Sequence, residues 1–416
     1  MLLPGSKGWI NKYFSLVENK EIRLNYELVS AISPQEHLHY LSCKTGIVFG
    51  YPICFVFFNK QDFNKWTDAE KLKVLLFETL LLVYIQKHGV SDTLKEDFTN
   101  KLIEYYSAYN TKNIQDLLLF WVKEDKYAKI ENILSKRVDV STSIFDSRRW
   151  FDTMNNSLIY LDVILFDRYL SCDDKTVLNT YSEYAYNVLI AIILAAKSDG
   201  EIDEKEKVIF NAFLNAANLE GEFKEKATQC LKSNVSFDYF TNLIHSNKLF
   251  SRYLMDVSLL TIYGNQEVEP TEIDSIQHLL DVTGFEEDEV EESLATVEHF
   301  ILNSDIDINF LSNKNTYEKA YDKITSRWTK ILLRNKDKLA KELSESKELI
   351  GLVKKSATQE LTTEEKEKVK TQFFDVARSV PALAIFMLPG GAILLPLILN
   401  IIPDLIPSSF RDNEVQ

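Results

Sequence analysis

Proline is almost missing from the interior of this chain. Between Ile53 and Val380 the single proline is Pro270, and glycine occurs only 12 times in 416 residues. Both residues interrupt helices, so their scarcity lets this stretch run as helix after helix. Cysteine is equally sparse. Cys43, Cys54, Cys172 and Cys230 stand alone, with no C-x-x-C spacing, which excludes a disulfide scaffold or a cysteine zinc module and favours a reducing compartment. There is no P-loop, dinucleotide fingerprint, H-E-x-x-H or G-x-S-x-G, and nothing nominates a nucleophile with its base, so no enzyme is expected. No signal peptide is expected either, because Met1-Leu-Leu-Pro leads straight into polar sequence. A net charge of −15 argues against binding DNA by bulk electrostatics.

What is present is apolar residues at helical spacing, 45% of the chain being hydrophobic. Trp9, Ile10, Tyr13 and Phe14 predict a helix over 8–20. Residues 45–58 are apolar but short and contain Gly50 and Pro52, which suits a buried segment better than a membrane span. Thr67 and Glu70 form a capping box for a helix that Gly89 stops. Further helices are predicted over 94–109, 114–135 and 151–170. Basic residues populate 316–355, which predicts one long amphipathic helix with Trp328, Ile331, Leu332, Leu339 and Leu343. Ser356 to Gln359 should break it, and Thr362 with Glu365 should cap a helix ending at Arg378. The expected fold is all-α.

Charge divides the chain into three. Residues 1–177 carry a net −1, residues 178–313 a net −17, and residues 314–378 a net +5. The expected domains are a helical N-terminal domain (1–177), an acidic helical domain (178–313), and a C-terminal part (314–416) of basic helices followed by an apolar run. The acidic block holds an internal repeat: Ile193–Glu206 is echoed 66 residues later by Leu259–Glu272, each copy reading as an apolar helix, a polar turn and a second helix.

In the first copy Asp199, Asp203, Glu204 and Glu206 gather at a helix N-terminus. Two readings stand side by side. The carboxylates cap the helix, or they hold a divalent cation weakly, calcium or magnesium by their hard oxygen donors. A complete EF-hand is rejected because Ala195 and Lys197 would occupy ligand positions. His37 and His39 could ligate a metal together if their segment is extended. The +5 block presents Arg327, Lys330, Arg334, Lys338 and Lys341, either as a face for an anionic partner or as a solvated helix surface.

Residues 379–403 run for 25 residues without one charge, long enough to span the hydrocarbon core. Prolines 381, 389, 396 and 403 and the Gly390-Gly391 pair would break a straight helix, so a discontinuous or re-entrant membrane segment is expected, the alternative being an unusually apolar buried hairpin of a soluble domain. Lys354, Lys355, Lys366, Lys368, Lys370 and Arg378 precede the run and only Arg411 follows it. The positive-inside rule then keeps 1–378 cytoplasmic.

The D-G-x-x-x-x-x-E turn at Asp199, Gly200 and Glu206 resembles that of the TerB family of tellurite-resistance proteins. The resemblance covers 178–305 and implies a helical bundle with an acidic face and divalent-metal association. In the second copy Asn265 and Gln266 replace Asp-Gly. The C-terminal end resembles the membrane-proximal core of the Letm family. The shared pattern is Leu361-Thr362, Arg378, Val380-Pro381, Pro389, Leu394-Leu395-Pro396, Pro403, and Leu405 to Phe410 with Pro407-Ser408. That resemblance implies an inner-membrane protein linked to cation/proton exchange and ribosome binding. Ala392 stands where the mitochondrial members carry an intramembrane glutamate, which weighs against exchange. The combination looks like bacterial Letm-related proteins of the biofilm-associated type. The expectation is a non-enzymatic sensor or interaction module held to the bacterial inner membrane, in an envelope-stress or biofilm setting. Its partners would be the lipid bilayer and either the ribosome or other membrane proteins, with oligomerisation left open; cation/proton exchange and ribosome tethering are the alternatives.

Overall fold

The computed structural model describes residues 2–24, 33–59, 65–107, 125–138, 156–172, 180–196, 204–217, 221–232, 239–240, 247–263, 346–356 and 361–378, with scattered positions at 219, 359 and within 289–341. Those residues form α-helices and no strand, so the fold is all-α. Contacts divide the chain into two compact units, residues 1–27 with 41–284, and residues 28–40 with 285–416.

The first unit opens with α1 (Trp9–Glu18). The helix α2 (Pro34–Thr45) runs from the second unit into the first at residue 41 and is followed by a single 3-10 turn at Ile47–Phe49. Helix α3 (Asp68–His88) starts at the Thr67–Glu70 capping box and stops at Gly89, whose φ is 75°, as the sequence predicts. Its sides are buried almost all round, which is why no apolar stripe stands out in LLFETLLLVYI. Trp9, Tyr13 and Phe14 of α1 meet Phe77 of α3 edge-on at 5.2, 5.2 and 5.9 Å. Gly50, at φ 67°, closes the turn after Phe49, and a Cβ there would lie 2.2 Å from the Asn156 carbonyl. Glycine is therefore required on both conformational and steric grounds.

Helices α4 (Leu94–Ser107), α5 (Lys126–Arg137) and α6 (Tyr160–Cys172) complete the packing around α3. One buried ion pair joins them. Arg137 of α5 reaches Asp162 of α6 with two bonds, Nε to Oδ2 at 2.7 Å and Nη2 to Oδ1 at 2.6 Å. Tyr106 of α4 donates to the same carboxylate at 3.0 Å, and Tyr105 to the Asp162 carbonyl at 2.8 Å.

Helix α7 (Tyr181–Ala196) is the first helix of the first repeat and α10 (Lys248–Tyr263) that of the second. Both begin and end within one residue of the 66-residue register. They pack against each other, with Tyr184 and Phe250 rings 4.3 Å apart. Helices α8 (Glu204–Ala217) and α9 (Glu222–Lys232) lie on α7 as well. Tyr253 of α10 donates to the Ser157 carbonyl at 2.7 Å, tying the repeat to the start of α6.

The helix predicted over 114–135 is interrupted at Asp125, ahead of α5, and the one predicted over 151–170 has a turn at 156–159 ahead of α6. Two further expectations change. The segment holding His37 and His39 is the helix α2, not an extended strand. Side chains two apart on a helix point to different sides, so the pair cannot share one ion. The single long helix over 316–355 is also not observed. Asn335 sits in a turn and Ser346 is non-helical ahead of α11 (Lys347–Ser356). Both side-chain types compete with helical hydrogen bonding, a local preference that the apolar periodicity masks.

The Arg137–Asp162 pair sets a stability prediction. Asp162 is fully buried, so Arg137→Met, which leaves its charge unpaired, should cost about 3–5 kcal/mol in urea denaturation. The double variant Arg137→Met, Asp162→Leu should recover a large part of that loss.

Candidate functional site

The second unit contains a helical hairpin of α11 and α12 (Thr363–Arg378). Leu349, Ile350 and Val353 of α11 and Val369, Phe373 and Val376 of α12 are buried, together with Leu361 just before α12. The α12 capping box is formed as predicted: the Glu365 amide donates to Thr362 Oγ1 at 3.3 Å and the Thr362 amide to Glu365 Oε2 at 3.0 Å. Helix α11 ends at Ser356, where the sequence predicts a break.

Polar contacts lock the two helices in register. Lys355 Nζ meets Glu365 Oε1 at 2.6 Å, and Gln372 donates to Glu348 Oε2 at 2.6 Å. Ser346 Oγ donates to Gln372 Oε1 at 3.2 Å. The Lys355 ammonium, with the Thr362 amide, holds the Glu365 carboxyl below its usual range. The hairpin's outer surface is charged and exposed at Glu348, Lys354, Lys368 and Asp375. It is a charged platform whose last helical residue, Arg378, adjoins the uncharged run.

The predicted site residues divide as follows. Asp199 and Asp203 lie outside the described residues. Glu204 opens α8 and Glu206 falls in its first turn, as a helix N-terminus requires, but their side chains lie outside the description. Pro381, Pro389, Gly390, Gly391, Pro396, Pro403 and Pro407 lie outside it too, as do Arg327 and Lys330. Arg334, Lys338 and Lys341 are exposed. Among the described residues no helix is long and apolar enough to cross a membrane.

Residues 361–416 match the family model described as LETM1-like, RBD. The match starts at the Leu361-Thr362 cap and takes in α12 and the whole apolar run, so the similarity to that family is confined to the C-terminal 56 residues. No curated protein and no solved structure matches.

The sequence does not announce the carboxylates buried in the first unit, Asp162, Glu131 and Glu78 among them. Glu78, in the middle of α3, accepts the Tyr13 hydroxyl at 2.7 Å and the amides of Val56, Phe57 and Phe58 at 2.8, 2.9 and 2.9 Å. It holds an irregular segment that no neighbouring helix could satisfy. The only sequence signal is a lone acid inside LLFETLLL.

Two predictions follow from these residues. Burial pushes the Glu78 carboxyl up to about 7, against the pull of its four donors. A folded-state value above the unfolded one gives stability that is complete below about pH 4.5 and lost as pH rises through 7. The unfolding free energy from urea denaturation should therefore decline between those values by up to about 3 kcal/mol, and Glu78→Gln should flatten that dependence. On α11, Gly351 is exposed and a Cβ there would meet nothing within 4 Å. Gly351→Ala should raise stability by roughly 0.5–1 kcal/mol in thermal unfolding.

Proposed function

We propose that this chain is a non-enzymatic, membrane-associated Letm-related protein. Residues 379–403 enter the bilayer of the bacterial inner membrane, the α11–α12 hairpin stands at its surface, and the preceding helices act as a cytoplasmic binding module. The observation that carries this reading is the family match over 361–416, which begins at a helix cap and ends beyond an uncharged run. A platform stiffened by cross-helix hydrogen bonds suits an element that must hold a folded module beside a membrane. The acidic repeat would be TerB-like, its turn at Asp199, Asp203, Glu204 and Glu206 taking calcium or magnesium weakly, with water completing the shell.

Ribosome tethering is the second reading, favoured by the RBD description of the matching family and by the net +5 of residues 314–378. Exposed Arg334, Lys338, Lys341, Lys354 and Lys368 supply the cations that a phosphate backbone attracts. Exchange activity has less support, since Ala392 carries no titratable group.

Fractionation separates these readings. Full-length protein should stay in the membrane pellet through a carbonate wash, and a chain ending at Arg378 should leave it. Full-length protein that is released by carbonate contradicts membrane integration. Ribosome tethering requires co-sedimentation with ribosomes at low salt that weakens steeply as salt rises; no co-sedimentation leaves anchoring as the hairpin's role.

A further inference from the structure

Between α1, α3 and α5 lies a cleft of about 270 Å³, lined in part by Pro4, Trp9, Lys73, Glu131 and Ser135. Its polar groups are unevenly matched. Lys73 is only 9% exposed, and its ammonium donates to the Pro4 carbonyl and to Ser135 Oγ, each at 3.0 Å. Three protons serve two acceptors, so one donor direction is unused. Trp9 is 3% exposed, and its indole Nε1 has no acceptor among the described residues. A buried donor left in this state is unfavourable unless something polar reaches it.

Glu131 shows which ligands the cleft refuses. Its Oε2 accepts the Gly8 amide at 2.8 Å and its Oε1 the Ile10 amide at 2.9 Å, so both oxygens already serve the start of α1. Its remaining charge still repels a second negative charge nearby. Lys73 disfavours a cation. Trp9 and Pro4 present apolar surface to whatever enters.

We propose that this cleft binds a small organic monocarboxylate. The anion's oxygens take the unused Lys73 proton and the Trp9 indole N–H, and its hydrocarbon part lies against Trp9 and Pro4. One negative charge satisfies both donors without a second one facing Glu131. Burial also lowers the proton affinity of Lys73, countered in part by the Glu70 and Glu131 carboxylates, and an anion in the cleft favours the charged form further. The proposal does not depend on the membrane reading.

Isothermal titration of the full-length protein in detergent micelles tests it, with benzoate as the probe and benzamide and inorganic phosphate for comparison. Benzoate should bind saturably, and benzamide and phosphate at least about tenfold more weakly. Trp9→Phe keeps the ring and removes the N–H, and should weaken benzoate by roughly two- to tenfold. Lys73→Met should abolish binding while circular dichroism shows unchanged helicity. If Lys73→Met fails to fold, Trp9→Phe carries the test. The proposal is overturned if benzoate gives no saturable heat up to ~10 mM, if phosphate or benzamide binds as well as benzoate, or if Trp9→Phe binds benzoate like the unaltered protein.

Discussion

The first unit depends on how it houses one carboxylate. Asp162 lies in the core, where an isolated charge would be strongly disfavoured. Four helices share the solution. Arg137 of α5 forks onto its two oxygens, Tyr106 of α4 adds a third bond, and Tyr181 of α7 lies with its ring 5.6 Å from the guanidinium. A pair of this kind has narrow geometric tolerance, so it fixes the register of α4, α5, α6 and α7 more tightly than apolar packing alone. Glu78 and Glu131 apply the same device to irregular backbone. An all-α fold has no strand edge to offer spare acceptors, and the amides at Val56 to Phe58 and at Gly8 and Ile10 need them.

The hairpin of α11 and α12 works by the opposite means. Its connecting polar contacts are at least partly exposed, and pairs of that kind contribute little each. Its alignment rests on the apolar seam of Ile350, Val353, Val369 and Phe373, with the ion pairs choosing among registers rather than supplying stability. That division suits a surface element that keeps its shape while its charged side chains stay solvated.

Local rules made much of this legible. Thr67 with Glu70, Thr362 with Glu365, and Gly89 are signals spanning a few residues, and each helix boundary falls where they place it. The first helices of the two repeat copies, α7 and α10, pack against each other, while the turn and second helix of the second copy lie outside the described residues. The proline register from Pro381 to Pro407 pointed to the family that residues 361–416 match. What stayed hidden is non-local. Nothing near Glu78 announces that Tyr13, 65 residues away, will meet it, and nothing near Asp162 announces Arg137. The cleft beside Trp9 was illegible for the same reason, because its donors come from α1 and α3 and are matched only in three dimensions. His37 and His39 misled because two residues apart suggests proximity in a strand and divergence in a helix.

Glu131 carries a consequence for how the chain is made. It caps α1 from 121 and 123 residues downstream, and Gly8 supplies no side-chain cap of its own. During synthesis α1 therefore emerges long before its acceptor exists. At about 5–20 residues per second the delay is on the order of ten seconds. For about the first half of that interval Trp9, Tyr13 and Phe14 lack Phe77 as well, and throughout it the helix lacks its finished end. The cap of the first helix can therefore form only once Glu131 has been made.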